Sequence, residues 1–328
     1  KDKVIFISGA GGSIGKELSK QIIELNPKLI LLFDNSESSI YELSLEIADL
    51  NKNKIPFINI LGNACDEKLV NKIFKKYSID VVFHAAAYKH VPIVENNSIE
   101  GMFNNIVSTR VLTQASNKFK ISKFILISSD KAVRPTNIMG LSKRIAELIV
   151  QNQSYETKTT CFSMVRFGNV LGSSGSVVPL FKKQISSGGP ITLTHPEVVR
   201  YFMSISEASQ LVIQAAQLAK GGEVFLLDMG DPLLIKDLAY QMVRLSGLTV
   251  RDNKNPKGDI EIKIIGLRPG EKLYEELLID STSMPTNHPL IYKAVEKKIN
   301  GKFLEITLDE MINFLTDKEL KNSLRLAK

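Results

Sequence analysis

Cysteine is nearly absent: Cys65 and Cys161 are the two in 328 residues, distant from each other and from any run of histidines. A disulfide-stapled scaffold and a zinc site of closely spaced thiolates are thereby excluded, and a reducing compartment is expected. No apolar run approaches the ~18 residues of a membrane helix; the clearest are short stretches such as Leu29 to Phe33. Internal repeats and low-complexity tracts are also missing, which removes solenoid and disordered readings. Histidine is scarce, and His84, His90 and His195 have no carboxylate or cysteine partners at ligand spacing, so they read as packing or hydrogen-bonding residues and no metal is expected.

What is present is ordinary globular composition, 44% hydrophobic and 23% charged, in a length that admits two domains or one large one. The net charge of +7 comes from scattered lysines. No basic stripe interleaved with aromatics accompanies it, so nucleic acid is not an expected partner, whereas a phosphorylated substrate is compatible. The chain opens at Lys1 without a Met and enters its first strand at once. A piece of something longer is expected, with any targeting or membrane segment outside it.

Compact apolar runs bounded by polar or Gly-rich turns predict buried strands at Val4 to Ser8, Leu29 to Phe33, Phe57 to Leu61, Val81 to His84 and Phe124 to Ser128. Helical spacing fills the intervals at Ile14 to Leu25, Ser38 to Leu50, Lys68 to Tyr77 and Met102 to Asn117. This succession predicts an α/β fold, a Rossmann-type doubly wound parallel sheet. After about residue 170 the rhythm loosens into Gly, Ser and Pro turns, with helices readable at Ser206 to Leu218, Ile235 to Ser246 and Leu308 to Leu315. A cofactor-binding domain over 1–168 and a smaller substrate domain over 169–328, some elements of which return to the first, are expected.

The first strand runs into Gly9-Ala-Gly-Gly-Ser-Ile-Gly15 and then an amphipathic helix. Glycines at 9, 12 and 15 permit a tight turn, approach of backbone to a pyrophosphate and close packing of helix on strand, with the helix N-terminus facing the phosphates. Asp34 follows Gly15 by 19 residues, close to the ~20 at which an acid accepts from a ribose 2′-hydroxyl. A carboxylate there repels a 2′-phosphate, which favours NAD over NADP; the alternative is that Asp34 caps the next helix. Further along, the fifth strand ends in Ser128-Ser-Asp-Lys131, and a following helix carries Met139 and Lys143 on one face. Asp130 beside Lys131 is an acid next to a base at a strand's C-terminal end, where doubly wound sheets bind ligands; elimination of water next to a ketone requires such a pair. A surface ion pair is the alternative from these residues alone.

The glycine spacing resembles the short-chain dehydrogenase/reductase superfamily. By that resemblance Gly9, Gly11, Gly12, Ser13, Ile14, Gly15 and Asp34 hold NAD, with Asn63 and Ala64 near the adenine, Ala85, Ala86 and Ala87 making room for the cofactor and Lys143 at the nicotinamide ribose. Asn63 stands where the superfamily usually has Asp, and Met139 where it has the tyrosine of Tyr-x-x-x-Lys. A thioether relays no proton.

Four segments carry a closer resemblance: Gly9 to Gly15, His84-Ala-Ala-Ala-Tyr-Lys-His-Val-Pro92, Ser129-Asp-Lys-Ala-Val-Arg-Pro-Thr-Asn-Ile-Met-Gly140 and Arg268-Pro-Gly-Glu-Lys-Leu-Tyr-Glu-Glu276. Together they resemble the nucleotide-sugar 4,6-dehydratases of bacterial glycan biosynthesis, in the PglF/WbpM/CapD-like branch of UDP-N-acetylglucosamine 4,6-dehydratases. The resemblance implies an extended short-chain dehydrogenase fold, tightly held NAD, and a cytoplasmic catalytic domain of a protein anchored in the inner membrane, acting as a homo-oligomer. It implies Ser129 on the sugar 4-hydroxyl, Asp130 as acid, Lys131 as base, Met139 beside the sugar and retained configuration at carbon 5. Substrate contacts implied are Lys89, His90, Asn105, Arg200 and Glu271, Asn169 and Arg268 at the diphosphate, and Thr192 and Thr194 by the uracil. A UDP-sugar 4-epimerase and a non-catalytic NAD-binding scaffold are the competing readings.

Overall fold

The computed structural model describes residues 1–278, 282–296 and 301–326. The first half alternates strand and helix: β1 (Val4–Ser8), α1 (Ser13–Glu24), β2 (Leu29–Asp34), α2 (Glu37–Leu50), β3 (Phe57–Leu61), α3 (Glu67–Lys76), β4 (Val81–His84), α4 (Val91–Asn96), α5 (Ser98–Lys118) and β5 (Lys123–Ile127). A single 3₁₀ turn, Asp130–Ala132, leads into α6 (Ile138–Glu156), followed by β6 (Cys161–Arg166) and β7 (Asn169–Leu171). Then come α7 (Val177–Ser186), β8 (Ile191–Leu193), β9 (Val199–Arg200), β10 (Phe202–Ser204), α8 (Ile205–Leu218), β11 (Val224–Leu227), β12 (Leu233–Leu234) and α9 (Ile235–Leu245). The remaining elements are β13 (Val250–Arg251), β14 (Ile260–Ile264), β15 (Ser283–Pro285), β16 (Ile291–Ala294) and α10 (Gly301–Leu326).

The main sheet has nine strands in the order β15-β16-β11-β6-β5-β4-β1-β2-β3. From β3 to β11 every pairing is parallel, and β16 joins β11 antiparallel. Parallel strands need helical crossovers, and helices on both faces bury them completely: Phe6, Ile7, Leu31 and Leu32 are sealed from solvent. Because β2 and β3 lie on one side of β1 while β4 lies on the other, the strand order reverses between β1 and β4, and a crevice opens at their C-terminal ends. That places the loop after β1, the His84-to-Ala87 segment and the Ser128-to-Lys131 segment on one rim.

The second half divides its labour. β11, β15 and β16 extend the main sheet, and α8 packs on α1. A separate apolar cluster of Phe181, Ile185, Leu193, Ala239, Val243 and Ile260 holds α7, α9, β8 and β14 together beside the crevice. Helix α10 is much longer than the Leu308-to-Leu315 segment expected. Leu308 and Leu315, with Leu304, Met311 and Ile312, lay an apolar stripe on Ile106 of α5 and Ile149 of α6, so tertiary packing sustains a helix whose own pattern is weak. Strand β6 was not expected; its end carries a buried Arg166 that interrupts the apolar run by which strands are read.

Candidate active site

The crevice holds two joined cavities, one of about 650 Å³ and one of about 1130 Å³, which share Gly9, Gly12, Ser13, Ala85, Ala87 and Tyr88 on their walls. Gly9 sits at φ +69°, and a Cβ there would lie 2.5 Å from the Ala86 nitrogen. A Cβ on Gly15 would collide with the Gly9 carbonyl, so α1 can approach β1 only with glycine at that place. Gly12 is the N-cap of α1 and contributes no side-chain cap, which leaves the helix N-terminus open to both cavities. Such an end suits a pyrophosphate, so the protein's backbone fits the dinucleotide expected from the sequence.

Asp34 lines the smaller cavity with its carboxylate oriented by two backbone donors: Gly11 N–H to Oδ2 at 2.9 Å and Ser36 N–H to Oδ1 at 3.0 Å. Capping of α2 falls to Ser36, which accepts from Ser39 N–H, so the helix-cap alternative for Asp34 is set aside. Asn63 and Ala64 are on the same wall, yet the Asn63 Oδ1 expected to meet adenine already accepts from Cys65 N–H at 2.9 Å. The loop Gly172 to Ser176, to which the sequence reading assigned no contact, closes over the site: Ser174 N–H donates to Ser13 Oγ at 3.2 Å, and Gly175 lies so close to His90 that a Cβ would strike the ring.

The larger cavity collects the chemical groups. Ser129, Lys131, Met139 and Lys143 line it, with Lys89, His90, Asn169, Thr192, Thr194, Arg200, Arg268 and Glu271. Gly140 sets this geometry, since a Cβ there would strike the Lys131 carbonyl; without one, α6 comes against the 3₁₀ turn. Asp130 is 2% exposed, behind the rim, and its Oδ1 accepts from Ser129 Oγ at 2.7 Å and Lys131 Nζ at 3.0 Å. Lys131 Nζ also lies 3.4 Å from Asn169 Oδ1 and 3.6 Å from Glu275 Oε1. Burial pulls the Lys131 pKa down, but Asp130 and Glu275 outweigh it and hold the ammonium above the ordinary lysine value. The shift toward neutrality required of a lysine base is therefore not a property of the resting site.

Lys143 behaves otherwise. Its Nζ donates to the Ile127 carbonyl at 3.0 Å, and burial lowers its pKa to about 8, with Glu147 opposing. His84 is hydrogen-bonded at both nitrogens, as expected of a packing residue. Thr109 Oγ1 gives its only proton to the Asn105 carbonyl and so accepts from His84 Nε2–H at 3.0 Å, leaving Nδ1 to accept from Ser8 Oγ at 2.8 Å. Burial, and then Lys143, push its pKa down to about 3.

Asn105 corrects the expectation of a substrate contact. It is 2% exposed, and its amide is fully engaged: Oδ1 accepts from Tyr88 N–H and Asn104 Nδ2, while Nδ2 donates to the Tyr88 carbonyl and Ser142 Oγ. Its work is to clamp Tyr88 at the junction of the two cavities. Arg200 reaches the cavity but is bolted to backbone, donating to the carbonyls of Val199, Lys272 and Leu273. Thr194 Oγ1 donates to Glu271 Oε1, and Thr192 exchanges two hydrogen bonds with Gln184. The Arg268 side chain is exposed, with no hydrogen bond or ion pair among the described residues. Sequence reasoning also missed a buried ionic cluster beneath the site, Glu147 with Arg166, Arg144 and Glu296, whose Glu147 accepts from Ser128 Oγ at 2.7 Å. Among the described residues no cluster of three or more His, Cys, Asp or Glu side chains could hold a metal, and no helix is long and apolar enough to cross a membrane.

Known proteins agree with this architecture. The capsular polysaccharide biosynthesis protein CapD of Staphylococcus aureus is 45% identical over 98% of this chain and 53% of its own length. The chain thus spans about half the length of that curated relative. A UDP-N-acetylglucosamine 4,6-dehydratase (inverting) of Campylobacter jejuni is 31% identical over 97% of this chain and 90% of its own. The X-ray structure of Pen from Bacillus thuringiensis superposes with a TM-score of 0.81 at 32% identity, covering 95% of this chain and 98% of that one. Residues 5–296 match the family of polysaccharide biosynthesis proteins, and the chain belongs to that family.

Proposed function

We propose that this chain catalyses NAD-dependent 4,6-dehydration of UDP-N-acetylglucosamine to the 4-keto-6-deoxy sugar, with configuration at carbon 5 retained. The observation that carries this is Lys131 on the wall of the larger cavity, backed at 3.0 Å by the buried Asp130, with Met139 in the place of a tyrosine. The glycine loop, Asp34 and Lys143 would hold NAD, whose two-electron chemistry would accept hydride from carbon 4 and give it back at carbon 6 after water is lost, with no net oxidation; the ketone at carbon 4 acidifies the carbon-5 proton. Ser129 Oγ has its proton directed at Asp130, which leaves a lone pair for the sugar 4-hydroxyl. Lys131 removes the carbon-5 proton, and Asp130 protonates the departing 6-hydroxyl. At rest the pair is an ammonium beside a carboxylate; moving one proton along the 3.0 Å hydrogen bond yields the neutral base and the acid the elimination needs. Because a single base serves one face of the sugar, the proton returns to the face it left. Arg268, whose side chain makes no hydrogen bond or ion pair among the described residues, is suited to the diphosphate, as a guanidinium matches phosphate oxygens in pairs.

The same reading makes the chain the cytoplasmic catalytic part of a longer protein, anchored in a bacterial inner membrane and acting as a homo-oligomer. The test is mass spectrometry and NMR of the product from substrate deuterated at carbon 4. Loss of one water with deuterium in the new methyl group supports the dehydratase. Deuterium still at carbon 4 with no water lost identifies an epimerase, and no reaction leaves a scaffold.

A further inference from the structure

Glu275 stands out among the buried carboxylates. Glu147 and Glu296 are each paired with guanidinium groups at hydrogen-bonding distance, as buried charge requires. Glu275, its side chain 5% exposed, makes no hydrogen bond among the described residues and faces only two cations, Lys131 Nζ at 3.6 Å and Arg200 Nη2 at 3.8 Å. Burying a carboxylate without hydrogen bonds is costly, and among the described residues its side chain holds no helix end, turn or strand in return.

The surrounding structure delivers it there deliberately. The segment from Arg268 to Glu276 has no regular structure and is fastened at both ends. Gly270 O accepts from Thr136 Oγ1 and Asn137 Nδ2 at the start of α6, and Lys272 Nζ donates to the Val133 carbonyl. Arg200 holds the carbonyls of Lys272 and Leu273, while Glu276 turns outward to Arg134. Of two adjacent glutamates, one is exposed and the other is aimed at the reacting lysine.

We propose that Glu275 is a positioning residue that acts through Lys131, holding its ammonium between Asp130 and Asn169 and keeping it charged in the resting site. The groups facing Lys131 are Asp130 on its own turn, Asn169 from β7, Glu275 and, at longer range, Arg200, which opposes the two carboxylates. The kinetic meaning of this role rests on the function proposed above; the charge on Lys131 does not.

The experiment is trace acetylation of the full chain with acetic anhydride across a pH series, with the Lys131 peptide quantified by mass spectrometry. In the wild type the Lys131 midpoint lies above that of the exposed lysines. In Glu275→Gln it falls by about one pH unit, so that below both midpoints Lys131 is labelled about tenfold faster, whereas Glu271→Gln leaves it unchanged. An unshifted midpoint in a natively folded Glu275→Gln overturns the proposal. So does a wild-type midpoint at or below that of exposed lysines, a measurement that needs no variant to fold. In turnover, the pair needs its one proton, so the limb of kcat that falls as pH rises through the Lys131 midpoint moves down with the labelling midpoint while KM holds, and a limb that stays put overturns the kinetic role. Should the wild type form no dehydrated product, the function reading fails while the labelling still decides Glu275.

Discussion

The Arg166 guanidinium lies fork to fork against the Glu147 carboxylate, Nε to Oε1 and Nη2 to Oε2 both at 2.6 Å, with neither side chain reaching solvent. The pair joins the end of β6 to α6 one turn beyond Lys143, and Glu147 also receives the Ser128 hydroxyl next to Ser129. The floor of the site is thus a charge network, and its failure would be felt by both Lys143 and the Ser129–Lys131 turn.

Glu147→Ala leaves Arg166 and Arg144 with Glu296 alone. Breaking a buried pair from one side costs about 3–5 kcal/mol, so thermal unfolding is expected to fall by roughly 10 °C. Glu147→Leu combined with Arg166→Met removes both charges and leaves the Arg144–Glu296 pair at 2.9 Å intact. The double variant recovers most of the loss in calorimetry; equal losses in single and double variants would contradict the network.

Lys143 is held against its own stability. Its pKa falls from 10.5 unfolded to about 8 folded, so the unfolded chain binds the proton more tightly. The group therefore weakens the fold fully below pH 8, by ~3 kcal/mol, and the penalty fades as pH rises toward 10.5. Lys143→Met should unfold at a higher temperature than wild type at pH 7, less ~1 kcal/mol for the Ile127 carbonyl left without its donor. That gap closes by pH 10, while NAD binding weakens. A Met variant less stable at pH 7, or a gap independent of pH, would refute the assignment.

Much of this site is legible in sequence because its geometry is local. Gly9, Gly12 and Gly15 lie within one turn of strand and helix, and Met139 and Lys143 share a helix face, so spacing alone brings them together. Glu275 meets Lys131 only through the docking of an irregular segment, which leaves no periodic signal. Asn105 misled for a related reason: a motif places a residue near a site but does not say which way its amide turns, and burial against Tyr88 and Ser142 consumed it. Arg166 hid β6, since a charge at a strand's end reads as a turn until its partner on α6 is known.

Asp34 should make the protein prefer NAD to NADP by about 100-fold or more, since a like charge brought against a fixed carboxylate costs several kcal/mol. Lys16 and Lys20 line the same cavity but do not offer a phosphate their charge, being ion-paired to Glu46, and Lys16 also to Glu42 at 3.7 Å. Titration calorimetry of the two dinucleotides measures the ratio. Asp34→Ala narrows it chiefly by weakening NAD, and equal affinities in the wild type would remove Asp34 from the ribose.

Lys131 and Met139 separate chemistry from packing. Lys131→Gln keeps a hydrogen-bonding side chain beside Asp130 but cannot take a proton, so kcat for UDP-N-acetylglucosamine dehydration should fall by about 10²–10⁴-fold with the fold intact. Asp130→Asn loses the acid and should fall comparably, and the double variant should be little worse than either, since the two act as one unit along a 3.0 Å hydrogen bond. Met139 is 2% exposed on the cavity wall and carries no proton. Met139→Leu, nearly equal in volume, should change kcat by less than about tenfold, in line with the small cost of volume-conserving swaps. Turnover retained by Lys131→Gln, or abolished by a folded Met139→Leu, would move the proton chemistry away from the Asp130–Lys131 pair and onto a group elsewhere in the cavity.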